Sequence, residues 1–206
     1  MSRLPGSTAA GTLAPSTMTP VHPALHVGLL TGADDLSYAQ GLTEALSACG
    51  VQLDFIGSDT VDAPTLHALP GVRFLNLRGD QSQDALTAHK IWRILRYYVR
   101  LMVYAVTSRA PVFHILWNNK FQHLDRTLLV LWYRIWGHRV VMTAHNVNAA
   151  RRDDRDSALN RLTLRIQYHL CDQIFVHTQR MADELKVDFG LPPKRISVIQ
   201  IGRAHV

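Results

Sequence analysis

Ten consecutive residues, Thr143–Arg152 (T-A-H-N-V-N-A-A-R-R), carry the densest reactive chemistry of the chain. They close an apolar run, Arg139–Thr143, that reads as a buried strand. An imidazole released at the end of a strand can serve as a hydrogen-bond partner, an electrostatic stabiliser or a proton acceptor, which makes His145 the catalytic candidate. The amides of Asn146 and Asn148 suit hydroxyl groups, and the guanidiniums of Arg151 and Arg152 suit a phosphate. The plainer alternative is a strand-end turn whose asparagines tolerate unusual backbone angles and whose arginines are solvated. Placement directly after a strand favours the functional reading.

Other polar loops follow other strands. Thr31–Tyr38 (T-G-A-D-D-L-S-Y) has Gly32 for a tight turn and close backbone approach. Asp34, Asp35 and Ser37 either cap the next helix or bind hydroxyls, and the two carboxylates favour a polyol or sugar over a phosphate here. The loop is not G-x-G-x-x-G, so no nicotinamide or flavin cofactor is expected. Trp117–Lys120 places Asn118 and Asn119 after a further strand, where they line the same crevice or form a turn, and Thr178 follows another. His114 and His177 on neighbouring strand segments raise the question of a metal. A zinc site needs converging ligands, and neither an H-x-x-x-H spacing nor a cysteine pair supports one, so none is expected.

The elements that must hold these loops alternate regularly. Apolar runs at His26–Thr31, Val51–Ile56, Val72–Leu77, Val112–Trp117, Arg139–Thr143, Gln173–His177 and Ile196–Ile199 read as strands. Helical spacing predicts helices over Tyr38–Ala48, Asp84–Thr107, Leu124–Trp136, Ser157–Leu170 and Arg180–Phe189, with at most a short one over Ala63–Leu69. In the longest, Ile91, Ile94, Leu95, Tyr98, Leu101 and Met102 are expected to face the core, and Lys90, Arg93, Arg96 and Arg100 the solvent. Doubly apolar strands alternating with helices imply an α/β fold, a doubly wound, mostly parallel Rossmann-like sheet of about seven strands. In such sheets a ligand sits beyond the carboxyl ends of the strands, where these loops lie.

Composition agrees with one globular domain. The chain has 206 residues, 47% hydrophobic and 18% charged, with 22 Lys+Arg against 16 Asp+Glu, a net +6. This excludes disordered and collagen-like classes. Cys49 and Cys171 cannot form a disulfide framework, and both are expected to be reduced and buried in a cytoplasmic protein. Residues 1–22 read as a flexible tail without the apolar core of an export signal. No apolar run reaches the ~20 residues of a membrane span. The basic balance allows peripheral contact with an anionic inner-membrane face, while no nucleic-acid-binding motif is present.

The stretch R-V-V-M-T-A-H-N-V-N and the block C-D-Q-I-F-V-H-T-Q-R-M-A-D-E-L-K-V-D-F-G-L-P-P-K-R-I-S-V-I resemble the N-terminal half of a family-4 retaining glycosyltransferase of GT-B architecture. The resemblance runs from about His26 to Ile199. It implies an acceptor-side domain that faces a separate donor-binding domain across a cleft, with a nucleotide-sugar donor as co-substrate, a glycan or lipid-linked acceptor, and no cofactor. By motif position His145 matches the family histidine near the transferred sugar, Gly32 the acceptor-side loop, and Thr178 the family Ser or Thr that begins a helix. Asn146 stands where many members have Asp. Arg151 and Arg152 are carried as anion contacts. The donor-binding domain is expected in the full-length protein, and residues 23–200 form the native domain. Ile201–Val206 (I-G-R-A-H-V) is expected to be non-native, since a common sequencing adapter encodes it in one frame, and the chain alone is expected to be inactive. The alternative is a non-catalytic sugar- or nucleotide-binding Rossmann-like module.

Overall fold

A computed structural model of the chain describes residues 25–32, 36–82 and 86–199. The N-terminal segment 1–22, Asp34, Asp35 and the terminal 201–206 lie outside the described residues.

Seven short strands, β1 His26–Leu30, β2 Gln52–Gly57, β3 Val72–Asn76, β4 Val112–Ile115, β5 Arg139–Ala144, β6 Gln173–Val176 and β7 Ile196–Val198, pair in the order β3-β2-β1-β4-β5-β6-β7. Every pair is parallel. Each strand therefore needs a crossover, and the helices supply them. On one face α1 (Leu36–Ala48) and α2 (Pro64–His67) pack Ala39 and Leu66 onto Leu29, Phe55 and Leu116. On the other lie α3 (Thr87–Thr107), α5 (Val130–Ile135), α7 (Ala158–Leu170) and α8 (Gln179–Phe189), over Phe113, Val140, Ile174 and Val176. Full burial of each of the larger of these side chains stabilises by roughly 1.5–3 kcal/mol. The expected strands and main helices are all present. Two short helices, α4 (Gln122–Leu124) and α6 (Ala149–Arg152), and a π-helical stretch Asp125–Leu129 between α4 and α5 join them.

The orientation of α3 departs from the expected one. Its buried residues are Tyr97, Leu101, Tyr104 and Ala105, whereas Ile91, Leu95 and Met102 are exposed. The helix is turned because its two buried phenols have fixed partners. Tyr97 donates to Asn119 Oδ1 (2.8 Å) and Tyr104 to Asp54 Oδ2 (2.8 Å). The basic residues are not uniformly solvated either: Arg93 donates to Asp80 and to the Ser82 carbonyl, and Arg100 to the Leu77 carbonyl. The expectation for cysteine holds for Cys171, which is buried, and fails for Cys49, which is exposed at the end of α1.

Near the amino ends of the strands, Asp54 is 2% exposed and gathers four donors. Arg73 approaches with Nε and Nη2 at 2.9 and 2.8 Å, Tyr104 with its hydroxyl, and His26 with Nε2 at 3.2 Å. Beside it a Cβ on Gly28 would sit 2.7 Å from the Tyr104 hydroxyl, so the phenol reaches Asp54 only across a residue without a side chain. Burial pushes the Asp54 carboxyl up, but the hydrogen bonds from Arg73, Tyr104 and His26 outweigh it and leave the group below the usual carboxylate range. Its stabilisation is complete above the unfolded-state pKa of about 4 and is lost as pH falls through the lower folded value. Asp54→Asn is expected to cost about 2 kcal/mol at neutral pH and to remove this acid-side loss, as measured by urea unfolding across pH.

Candidate functional site

Because all strands run in parallel, the residues following β1, β4, β5 and β6 meet at one rim of four adjacent strands. They are Gly32, Trp117, His145 and His177. At the same point the chain reverses its direction of travel across the sheet, between β1 and β4, which opens a crevice in this class of fold.

His145 is held on three sides. Its ring stacks on the Trp117 indole with centroids 4.3 Å apart and planes within 2°. Tyr38 from α1 meets it edge-on at 4.7 Å. Its Nδ1 lies 3.1 Å from Nε2 of His177. When His177 donates in that bond, the neutral His145 ring carries its proton on Nε2 and becomes a donor there. Behind the pair, buried His114 bonds through Nε2 to Thr143 Oγ1 at 2.8 Å. Burial first, and the neighbouring His145 second, push the His114 pKa down to about 4, so this ring is neutral near pH 7. Burial also raises the Tyr38 phenol, which bonds to Thr143.

Gly32 locks onto this cluster. Its φ is +62°, and a Cβ would lie 2.6 Å from the Trp117 carbonyl oxygen and 2.7 Å from the Trp117 Cβ. Its own carbonyl accepts a 2.7 Å hydrogen bond from Arg78 Nη1. Arg78 in turn belongs to a cavity of about 370 Å³ that runs along the rim between α3 and the β4 loop. Arg78, Lys90, Arg93 and Lys120 line it against one described carboxylate, Asp80, together with Tyr97 and Asn119.

The predicted residues divide among different tasks. Gly32, His145 and Asn119 stand at the rim. Asn119 is already engaged, accepting from Tyr97 and approaching Asp125. Asn118 exchanges both ends of its amide with Gln167, at 3.2 and 2.7 Å, and so ties the β4 loop to α7. Asn148 caps α6 and accepts from Asn160. Thr178 caps α8 through a bond to the Met181 amide. Ser37 and Asn146 are exposed. Arg151 pairs with Asp188 in the last turn of α8, and Arg152 with Asp153, so neither joins the His145 cluster. Sequence reasoning missed the pairing of His177 with His145, the part played by Tyr38, and Arg78 altogether. An aromatic or imidazole side chain directly after each of two neighbouring strands was the available signal for the first.

Residues 37–203 match the family described as Glycosyltransferase Family 4. The chain belongs to glycosyltransferase family 4. No curated protein matches this family-4 chain. Among solved structures, it is similar to LpCGTa in complex with UDP, at 13% identity and a TM-score of 0.54, over 87% of this chain and 53% of that one. It is also similar to the UDP-GlcNAc 2-epimerase from Methanocaldococcus jannaschii, at 12% identity and a TM-score of 0.58, over 85% of this chain and 45% of that one. At such identities the likeness is one of fold: the family-4 chain is a Rossmann-like half of the GT-B type, spanning about half the length of these structures.

The geometry sets two measurable expectations for the family-4 domain. Gly32→Ala should cost about 2 kcal/mol, since it combines a disfavoured φ with a backbone clash, and should alter the near-UV circular dichroism of the Trp117–His145 stack. His114 has a folded pKa below its unfolded value of about 6.5, so the unfolded chain binds the extra proton between the two. Stability should fall by about 3 kcal/mol as pH drops from 6.5 to 4, and unfolding curves of His114→Gln should lack that slope.

Proposed function

We propose that this chain is the acceptor-binding half of a retaining glycosyltransferase that moves a hexose-type sugar from a nucleotide-sugar donor to a glycan or lipid-linked acceptor carrying phosphate. The observation that carries the reading is the fixed His145 ring at the rim of the sheet, beside a cavity lined by four cationic side chains. Family membership supports sugar transfer. The UDP bound to LpCGTa and the UDP-sugar named for the epimerase support a nucleotide-sugar donor.

In this reading Trp117, Tyr38 and His177 hold the imidazole so that it need not reorganise when charge develops on the transferred sugar. Fixed dipoles of this kind stabilise a transition state without the cost of orienting water. The leaving diphosphate is met chiefly by a second, donor-binding half. Arg78, Lys90, Arg93 and Lys120 attract the acceptor's phosphate, and a cavity of this size admits a sugar-sized headgroup. No step requires a cofactor. The setting is the cytoplasm, where nucleotide sugars are held and Cys49 stays reduced.

The test is a sugar-transfer assay on the protein joined to its donor-binding half. His145→Ala is expected to lower turnover by about 100-fold while leaving acceptor binding intact. Turnover equal to the parent's overturns the role of His145. The 206-residue chain alone is expected to transfer no sugar, and robust donor-dependent turnover by it overturns the division of labour. Sugar binding without any transfer by the joined protein selects the non-catalytic module instead.

A further inference from the structure

The outward side of α3 is apolar along its whole length. Ile91, Trp92, Leu95, Val99, Met102, Val103 and Val106 are between 38% and 62% exposed. At 100° per residue all seven fall on the side opposite Tyr97, Leu101, Tyr104 and Ala105, and no polar residue interrupts them. The 21-residue helix is about 30 Å long. Its neighbour extends the surface: Leu128, Leu131, Ile135 and Trp136 are 43–65% exposed, and Trp132 of α5 donates to the Met102 carbonyl at 3.2 Å. An exposed apolar face of this extent marks a docking surface.

Charge identifies what docks. Residues 86–136 contain eight Lys and Arg (Lys90, Arg93, Arg96, Arg100, Arg109, Lys120, Arg126 and Arg134) and one carboxylate, Asp125, a net of 8 − 1 = +7. The whole chain carries 22 − 16 = +6, so all remaining residues together carry 6 − 7 = −1. Asp125 and Arg126 are both buried, and Arg93 and Arg134 pair with Asp80 and Asp172, so among the described residues the cations of this segment without an ion-pair partner are Lys90, Arg96, Arg100, Arg109 and Lys120. Arg96 and Arg100 run along one flank of the stripe. A second copy on this face would bring two such positive regions together, which is repulsive, whereas an anionic lipid surface neutralises them. Trp92 and Trp136 have the amphipathic rings suited to a bilayer–water boundary. Among the described residues no helix is long and apolar enough to cross a membrane, and an apolar stripe flanked by arginines is the pattern of a helix lying in the interface.

We propose that the α3–α5 face seats this protein on an anionic bilayer surface, with the apolar stripe among the acyl chains and the arginines at the headgroups. The amino end of α3 lies at the rim of the sheet, and Lys90 and Arg93 near that end line the cavity beside the Gly32 turn. The cavity lies across α3 from the apolar stripe, since Tyr97 on the buried side of the helix lines it.

Co-sedimentation of the 206-residue chain with vesicles tests the proposal. Binding is expected to vesicles of equal parts phosphatidylcholine and phosphatidylglycerol, to be weak with phosphatidylcholine alone, and to fall as salt is raised. Trp fluorescence should shift to the blue on binding. Leu95→Glu with Val99→Glu should lower partitioning by about tenfold. Arg96→Glu should reduce the preference for the anionic vesicles. These side chains are exposed, so thermal unfolding should be unchanged, and Trp92→Ala provides a second probe of the same stripe. Failure of the folded chain to bind anionic vesicles overturns the proposal. So does undiminished binding by the double variant, or a stable dimer that it converts to monomer.

Discussion

Parallel pairing is the constraint from which the site follows. In a sheet whose strands all point one way, every loop that leaves a strand emerges at the same edge, and every helix must carry the chain back beneath it. Successive members of the set Gly32, Trp117, His145 and His177 are 28 to 85 positions apart in sequence, yet they follow four strands that lie side by side. None of them could be brought together by local structure. The stack of Trp117 on His145 and the close approach of Gly32 to Trp117 are then ways of fixing loops whose proximity the sheet has already imposed.

The far edge is fixed by different means. There, a nearly inaccessible carboxylate collects an arginine, a phenol and an imidazole, and so joins β1, β2, β3 and α3. Breaking such a cluster leaves buried polar groups unsatisfied, whereas a well-paired one restricts how the elements can sit. The two phenols of α3 act together in this respect. Tyr104 anchors the carboxyl half of the helix to Asp54, and Tyr97 anchors its midpoint to Asn119. With the helix held at these two points, its apolar side is committed outward. The same hydrogen bonds that orient the core therefore determine which surface the molecule offers to its surroundings.

The strand–helix alternation, and with it the fold class, was legible because each strand is a short apolar run ended by a turn residue. The place of His145 at the rim was legible for a related reason: a polar cluster directly after a buried run lies at a known edge. Its partners were less so. Tyr38 lies on a helix face that its own periodicity does not distinguish, and the importance of His177 depends on a distance across two strands. Arg151 and Arg152 were grouped with His145 by sequence proximity, but α6 turns the chain away and Asp188 captures Arg151. The face of α3 was misread because both sides of the helix are rich in large apolar or aromatic residues. Which side turns inward is decided by hydrogen bonds to Asp54 and Asn119, and those lie 50 positions from Tyr104 and 22 from Tyr97.

The contrast between the two cysteines bears on how the molecule can be observed. Cys171 is sealed in the core, where burial pushes its thiol up to about 12, so it resists alkylation in the native state. Cys49 is open to solvent at the end of α1, beside the start of β2 and hence at the edge of the sheet opposite His145. A maleimide dye or spin probe would attach at that one place among the cysteines without engineering. It would report on tumbling, immobilisation and distance while leaving the imidazole cluster untouched.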